Sequence, residues 1–214
     1  MGNNSPKIVY DKSYKIVAWG DQRVGKTSLF ERYIKEKIPK SYHPTGGHLI
    51  FKKDINVDGK NVNLTFFDFT GNIFYRGMVI LSSTRTDLFM FVYNIIDKAT
   101  FLSLKTFIPA FKQKFEEKNA IKILIGNKID LYNKREVTRE EAELLAKEHQ
   151  MIFIETSAMT GEGINDLFNV VVEKLTARFR DEMIKQQNMS PALQPSVPID
   201  YSQQNKNINV TPQM

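Results

Sequence analysis

The 214 residues include no cysteine. Structural disulfides, thiolate metal sites and cysteine nucleophiles are therefore excluded, as are prenylation and palmitoylation, which both modify cysteine. No apolar run approaches the roughly 20 residues that span a bilayer. Glycine is absent from residues 186–214, where Tyr201 is the one aromatic and Pro191, Pro195, Pro198 and Pro212 interrupt the chain. A stretch with so little to bury is expected to be a disordered polar tail. No repeat of 20 to 50 residues is visible, which argues against a solenoid. One lipid route survives the absences: Met1-Gly2-Asn3-Asn4-Ser5-Pro6 resembles a myristoylation signal, with proline where the pattern has Ser or Thr.

What is present is the composition of an ordinary globular domain, 42% hydrophobic and 25% charged. The net formal charge is +6; residues 181–214 hold two lysines against three acids, so the rest carries the surplus. Bases and acids are interleaved over 112–118 and 134–143 rather than gathered into a stripe, so no nucleic-acid partner is expected. The organisation expected is a flexible N-terminus over 1–12, one domain over 13–185 and the tail over 186–214.

Within the domain, β-rich runs at 14–19, 48–57, 62–67, 88–93, 121–125 and 151–154 read as strands. Asp58-Gly59 is a hairpin turn between the second and third. Helical patterns cover 26–35, about 98–115, a segment opened by the capping box Thr138 to Glu141, and one from Ile164. In the last, Ile164, Leu167, Phe168, Val171, Leu175 and Phe179 form one stripe at helical spacing. The order βαββαβαβαβα gives an α/β fold: a mostly parallel six-stranded sheet with one antiparallel strand and helices on both faces. Ligands on such sheets sit at the carboxyl ends of the strands.

The first strand ends in Gly20-Asp21-Gln22-Arg23-Val24-Gly25-Lys26-Thr27, a match to GxxxxGK[ST] in the strand-loop-helix context that motif needs. Backbone amides and the helix N-terminus cradle a polyphosphate, Lys26 neutralises the outer phosphates, and the Thr27 hydroxyl is suited to Mg²⁺. Asn127-Lys128-Ile129-Asp130 follows the fifth strand, where a carboxylate accepts the paired N1 and N2 donors of guanine, which adenine lacks. Asp68-Phe69-Thr70-Gly71 closes the third strand, with a carboxylate for Mg²⁺ and a glycine amide for a γ-phosphate. Glu155-Thr156-Ser157-Ala158 follows the sixth strand and offers amides to the guanine carbonyl.

With these elements in order, the chain resembles the Ras superfamily of P-loop small GTPases over about 13–180, and within it the Rab branch. Phe91-Val-Tyr-Asn94 adds to the likeness, and Thr45 lies 19 residues after Lys26, at the family's switch I threonine. The resemblance implies a monomeric switch that binds GTP or GDP with Mg²⁺ and acts in vesicle trafficking, protein transport or signalling. Its effector proteins would engage switch I and II, with exchange and activating proteins as regulators. It implies nucleotide contacts from Gln22, Arg23, Val24, Gly25, Lys26, Thr27, Ser28, Ile38, Tyr42, Thr45 and Gly71. Asn127, Lys128, Asp130, Ser157, Ala158 and Met159 would hold the base. Mg²⁺ would lie at Thr27, Thr45 and Asp68, and catalysis would fall to Asn72, Gly71, Lys26 and Thr45.

The departures bear on mechanism. Asn72 stands where the family has the glutamine that orients the attacking water, and its amide ends about 1.5 Å short. Misplacement of about 1 Å costs roughly 10²-fold. Gln22 and Arg23 replace small loop residues, so slow hydrolysis is expected. Arg23 reads either as an arginine finger in cis or as a solvated side chain. Thr70 reads as a phosphoryl acceptor or as a local backbone partner. Ile38 stands where an aromatic normally packs on guanine, which implies faster GDP release. The aromatics Phe66, Phe67, Phe69, Phe74 and Tyr75 are candidates for an effector surface, some of them necessarily core. A cytoplasmic location is expected, with peripheral membrane association only through a myristoyl group, a basic face or a partner. The alternative to a cycling enzyme is a GTP-loaded scaffold that does not hydrolyse.

Overall fold

A computed structural model of the chain describes residues 9–37, 44–114 and 120–189. Six strands form one sheet: β1 Lys12–Trp19, β2 His48–Val57, β3 Lys60–Phe69, β4 Leu88–Asn94, β5 Ile121–Asn127 and β6 Ile152–Thr156. Their order is β2-β3-β1-β4-β5-β6, with β2 antiparallel to β3 and the other pairings parallel. The hairpin turns on Asp58 and Gly59, both at positive φ (52° and 82°), the conformation a two-residue type I′ turn requires. Asn56 Oδ1 accepts the Gly59 amide at 3.1 Å and steadies the turn.

Alternation along the strands divides the core. Val17, Trp19, Phe89, Phe91, Tyr93 and Leu124 face one way and pack with helices α2 (Arg76–Ser82), α3 (Lys98–Lys114) and α4 (Arg139–Glu148). On the other face lie α1 (Lys26–Lys35) and α5 (Ile164–Met189), whose Phe30 and Phe168 meet Phe66 at ring separations of 5.3 and 5.8 Å. The stripe of α5 is buried from Ile164 to Phe179 as its spacing predicts. The capping box forms: Thr138 Oγ1 accepts the Glu141 amide at 3.1 Å, and Glu141 Oε2 accepts the Thr138 amide at 2.9 Å.

The sequence pattern names no residues for α2 and runs past the short 3-10 turns at Ile73–Tyr75 and Ile129–Lys134. The chain divides into a unit ending at Phe179 and a second beginning at Arg180, of which 180–189 is the described part, a helix to Met189. No helix among the described residues is long and apolar enough to cross a membrane.

Candidate functional site

The loops leaving β1, β3, β5 and β6 meet at the carboxyl edge of the sheet. After Trp19 the chain turns through 20–25 into α1, whose N-cap makes no side-chain hydrogen bond and whose first turn carries no acidic residue, an end suited to an anion. Gly25 caps that helix at φ 99°, and a Cβ there would overlap the Asn127 amide group, so both its conformation and its packing require glycine. Lys26 is buried; its Nζ donates to the carbonyls of Gly20 at 2.8 Å and Asp21 at 3.0 Å. Burial pushes the ammonium down to about 8, with Asp68 and Asp21 opposing the shift. A bound phosphate would supply the negative charge this cation faces.

Three oxygens from three elements converge beside it. Thr27 Oγ1 donates to Asp68 Oδ2 at 2.5 Å and lies 3.1 Å from Thr45 Oγ1. Asp68 is fully buried, burial pushes its carboxyl up to about 6, and its Oδ1 has no hydrogen-bond partner. A buried, unsatisfied carboxylate oxygen is costly unless a cation or donor meets it. Hard oxygen donors of this type suit Mg²⁺, which takes one or two protein oxygens and fills its sphere with phosphate and water. Among the described residues no cluster of three or more His, Cys, Asp or Glu offers another cation site. The residues present therefore fit a phosphate-borne Mg²⁺.

Across the cleft, β5 and β6 build a second, rigid wall. Asn127, 1% exposed, donates through Nδ2 to the Val24 carbonyl at 2.8 Å. Its Oδ1 accepts the Thr156 hydroxyl and the Ala158 amide, each at 3.2 Å. One side chain thus ties the phosphate loop to both strand ends. Lys128 follows in the left-handed region at φ 73°, and burial lowers its pKa. Asp130 Oδ1 accepts the Ser157 hydroxyl at 2.6 Å, which fixes the orientation of the carboxylate. Between the two walls lies a cleft of about 910 Å³, ample for a nucleotide.

A model of the Ras family matches residues 15–177. The chain belongs to the Ras family. It is 31% identical over 169 residues to the Ras-related protein Rab-17 of Homo sapiens, covering 79% of each chain. It is 33% identical over 176 residues to the Ras-related protein RABC2b of Arabidopsis thaliana, covering 82% of this chain and 85% of that one. To the Ras-related protein RabJ of Dictyostelium discoideum it is 32% identical over 172 residues, with 80% and 67% covered. These relatives make it a Rab-like small GTPase.

In this GTPase, Gln22, Arg23, Gly25, Lys26, Thr27, Ser28, Thr45, Gly71, Asn127, Lys128, Asp130, Ala158 and Met159 all line the cleft. Val24, Asp68 and Ser157 are fully buried behind that surface. Ile38 and Tyr42 lie outside the described residues. Asn72 is turned to its own loop: Oδ1 accepts the Phe74 amide at 3.0 Å, and the Asn72 amide donates to Thr70 Oγ1 at 3.3 Å. The Thr70 hydroxyl is thus a local backbone partner, although the residue also borders the cleft. Arg23 holds a left-handed backbone (φ 63°), and its charge is felt at Lys128, on the base side. Of the aromatic candidates, Phe66 and Phe69 are core, Phe67 is half-buried, and Phe74 and Tyr75 are exposed, 90% and 47%.

Sequence reasoning missed the wall residues Glu31, Pro44, Gly46, Leu49 and Leu131. It also missed a polar knot of Asp21, Arg76 and Ser103, whose members belong to three separate elements and share no local motif.

Proposed function

We propose that this Rab-like GTPase is a guanine-nucleotide switch in vesicle traffic or signalling that binds GTP and GDP with Mg²⁺ and hydrolyses GTP slowly. Asp130, oriented by Ser157, accepts the paired donors of guanine; Lys128 packs beside the base; Lys26 and the loop amides hold the phosphates. Thr27, Thr45 and Asp68 would hold Mg²⁺, which neutralises phosphate charge when bound. Thr45 and Gly71 sense the terminal phosphate, and its loss releases them.

The single observation that favours slow hydrolysis is the engagement of Asn72. A side chain one methylene too short, whose oxygen accepts the Phe74 amide, is held to its own loop and is absent from the lining of the cleft where a water would be oriented. Gln22 and Arg23, larger than the family's loop residues, line that cleft. The test is single-turnover GTP hydrolysis on a preparation whose bound nucleotide has been identified. Recovered guanine nucleotide with turnover well below that of typical relatives supports the proposal; ordinary turnover removes the slow-hydrolysis part. Protein recovered wholly as the GTP form with no measurable turnover favours the GTP-loaded scaffold instead.

The exposed side chains Phe74, Tyr75, Met78 and Leu81 supply an apolar surface beside the switch elements for effector proteins. We assign the nucleotide site to a domain over 13–185, flanked by an N-terminal segment and a polar tail over 186–214, in a cytoplasmic monomer. Membrane contact would come through a partner or through Gly2.

A further inference from the structure

The nucleotide reading leaves the knot of Asp21, Arg76 and Ser103 without a task. Arg76 is the first residue of α2; its Nη2 donates to Asp21 Oδ1 at 2.7 Å and to Ser103 Oγ at 2.6 Å. Ser103 Oγ, on α3, donates in turn to the same Asp21 oxygen at 3.1 Å. The Arg76 and Asp21 side chains are 34% and 29% exposed, so the pair is partly shielded from water and salt. Charge-assisted bonds in such a place are stronger and more directional than surface pairs.

What Arg76 fastens has little else to hold it. Of the seven residues of α2 only Val79 is buried, while Met78 and Leu81 are 56% and 71% exposed. Its far end is tied to β1: Lys15 Nζ donates to the Ser82 carbonyl at 2.6 Å, and Trp19 Nε1 donates to Ser83 Oγ at 3.2 Å. The near end is fastened by Arg76 to the phosphate loop itself. Asp21 has a double role there, since its side chain holds Arg76 while its carbonyl accepts Lys26 Nζ.

Five residues upstream of Arg76, Gly71 lies flush on the peptide joining Asp21 to Gln22; a Cβ at Gly71 would overlap that backbone. The link between them is a tight turn, with the Tyr75 amide donating to the Asn72 carbonyl at 3.0 Å and the Phe74 amide to Asn72 Oδ1. A compact link of this kind transmits position, so seating Arg76 on Asp21 also seats Gly71 on the loop. This is the arrangement in which Thr27, Thr45 and Asp68 also stand together.

We propose that Arg76, clamped by Asp21 and Ser103, is a positioning residue that sets the preference of the site for a nucleoside triphosphate over a diphosphate. A terminal phosphate uses the Gly71 amide; a diphosphate makes no demand on it. Loss of the clamp therefore weakens triphosphate binding more than diphosphate binding, and a ligand shifts the position of α2 only through that difference. The inference rests on the guanine-nucleotide reading above.

The experiment titrates the full chain with fluorescent GDP and with a slowly hydrolysed GTP analogue, both with Mg²⁺. Wild type is compared with Arg76→Ala, Arg76→Lys, Ser103→Ala, Asp21→Asn and the double variant Arg76→Ala/Asp21→Asn. The triphosphate-to-diphosphate affinity ratio is expected to fall about five-fold or more in Arg76→Ala, within the usual range of coupling between sites. Arg76→Lys should restore part of it, Ser103→Ala should lose less, and the double variant should fall short of the product of its two singles. An unchanged ratio in Arg76→Ala, with nucleotide still bound, overturns the inference and leaves the nucleotide reading intact. Failure of wild type to bind either nucleotide overturns both. If Arg76→Ala does not fold, Ser103→Ala and Arg76→Lys decide by the same ratio.

A second readout uses Trp19, the only tryptophan, whose indole bonds next to the end of α2. Its emission is expected to differ between the diphosphate and triphosphate forms of wild type and to differ less in Arg76→Ala. An equal difference in both proteins contradicts the clamp.

Discussion

The two walls of the cleft are built differently. At the base wall, Asn127, Thr156 and Ser157 are at most 1% exposed, and their side chains bond to one another's loops from the ends of the interior strand β5 and its neighbour β6. At the phosphate wall, Thr45 and Gly71 sit on short loop segments that meet through the Thr70 amide and the Gly47 carbonyl at 2.8 Å, with Thr45 Oγ1 3.1 Å from Thr27 Oγ1. Next to them stands a seven-residue helix that buries one side chain. On the proposed nucleotide reading, the identity of the base is recognised by a surface that the fold prepares in advance, where polar groups are already aimed. On the same reading, presence of the last phosphate is left to elements with few buried contacts, the kind that open at small cost. A switch needs both: a constant grip and a variable reading.

Four tests break or sharpen this contrast, in decreasing order of effect. Asp130→Ala removes the acceptor of the guanine donors from the rigid wall, and GDP affinity is expected to fall by about 10⁴-fold in a displacement titration. Asn127→Ala leaves the Val24 carbonyl, the Thr156 hydroxyl and the Ala158 amide without their shared partner. At roughly 1 kcal/mol for each buried bond, the nucleotide-free protein should lose about 3 kcal/mol in denaturant unfolding, while Thr45→Ala on the other wall should lose less than about 1. Asn72→Gln gives the phosphate wall the longer amide, and single-turnover GTP hydrolysis should rise about ten-fold. Ile38→Phe restores the aromatic type that the family resemblance implies at this position, and release of fluorescent GDP should slow by a few-fold.

The rigid wall was the more legible of the two, for physical reasons. Asn127, Lys128 and Asp130 follow the buried apolar run of β5 over 123–125, which marks its own end, and Ser157 and Ala158 follow the short apolar run of β6. The hairpin at Asp58-Gly59 and the capping box at Thr138 were equally readable, since each is specified by residues within a few positions. The phosphate wall was readable only as motifs. Residues 74–82 carry apolar side chains with no helical period, because most of them face outward, so α2 left no trace in the pattern. Alternation alone placed Phe67 opposite Phe66, but Phe69 is buried with the core around Trp19 and is lost to the effector surface. Arg76 and Ser103 are 55 and 82 positions from Asp21, and bonds across such separations follow from the packed fold and not from any spacing.

Backbone hydrogen exchange on the full chain, loaded with GDP and Mg²⁺ and then with a slowly hydrolysed GTP analogue and Mg²⁺, tests the contrast most directly. The expected result is equal protection in both forms at 127–130 and 156–159, with a clear gain in the triphosphate form at 45–47 and 70–76. Equal protection at the switch segments, or a change concentrated at the base wall, would contradict the division of the cleft into a fixed grip and a movable sensor.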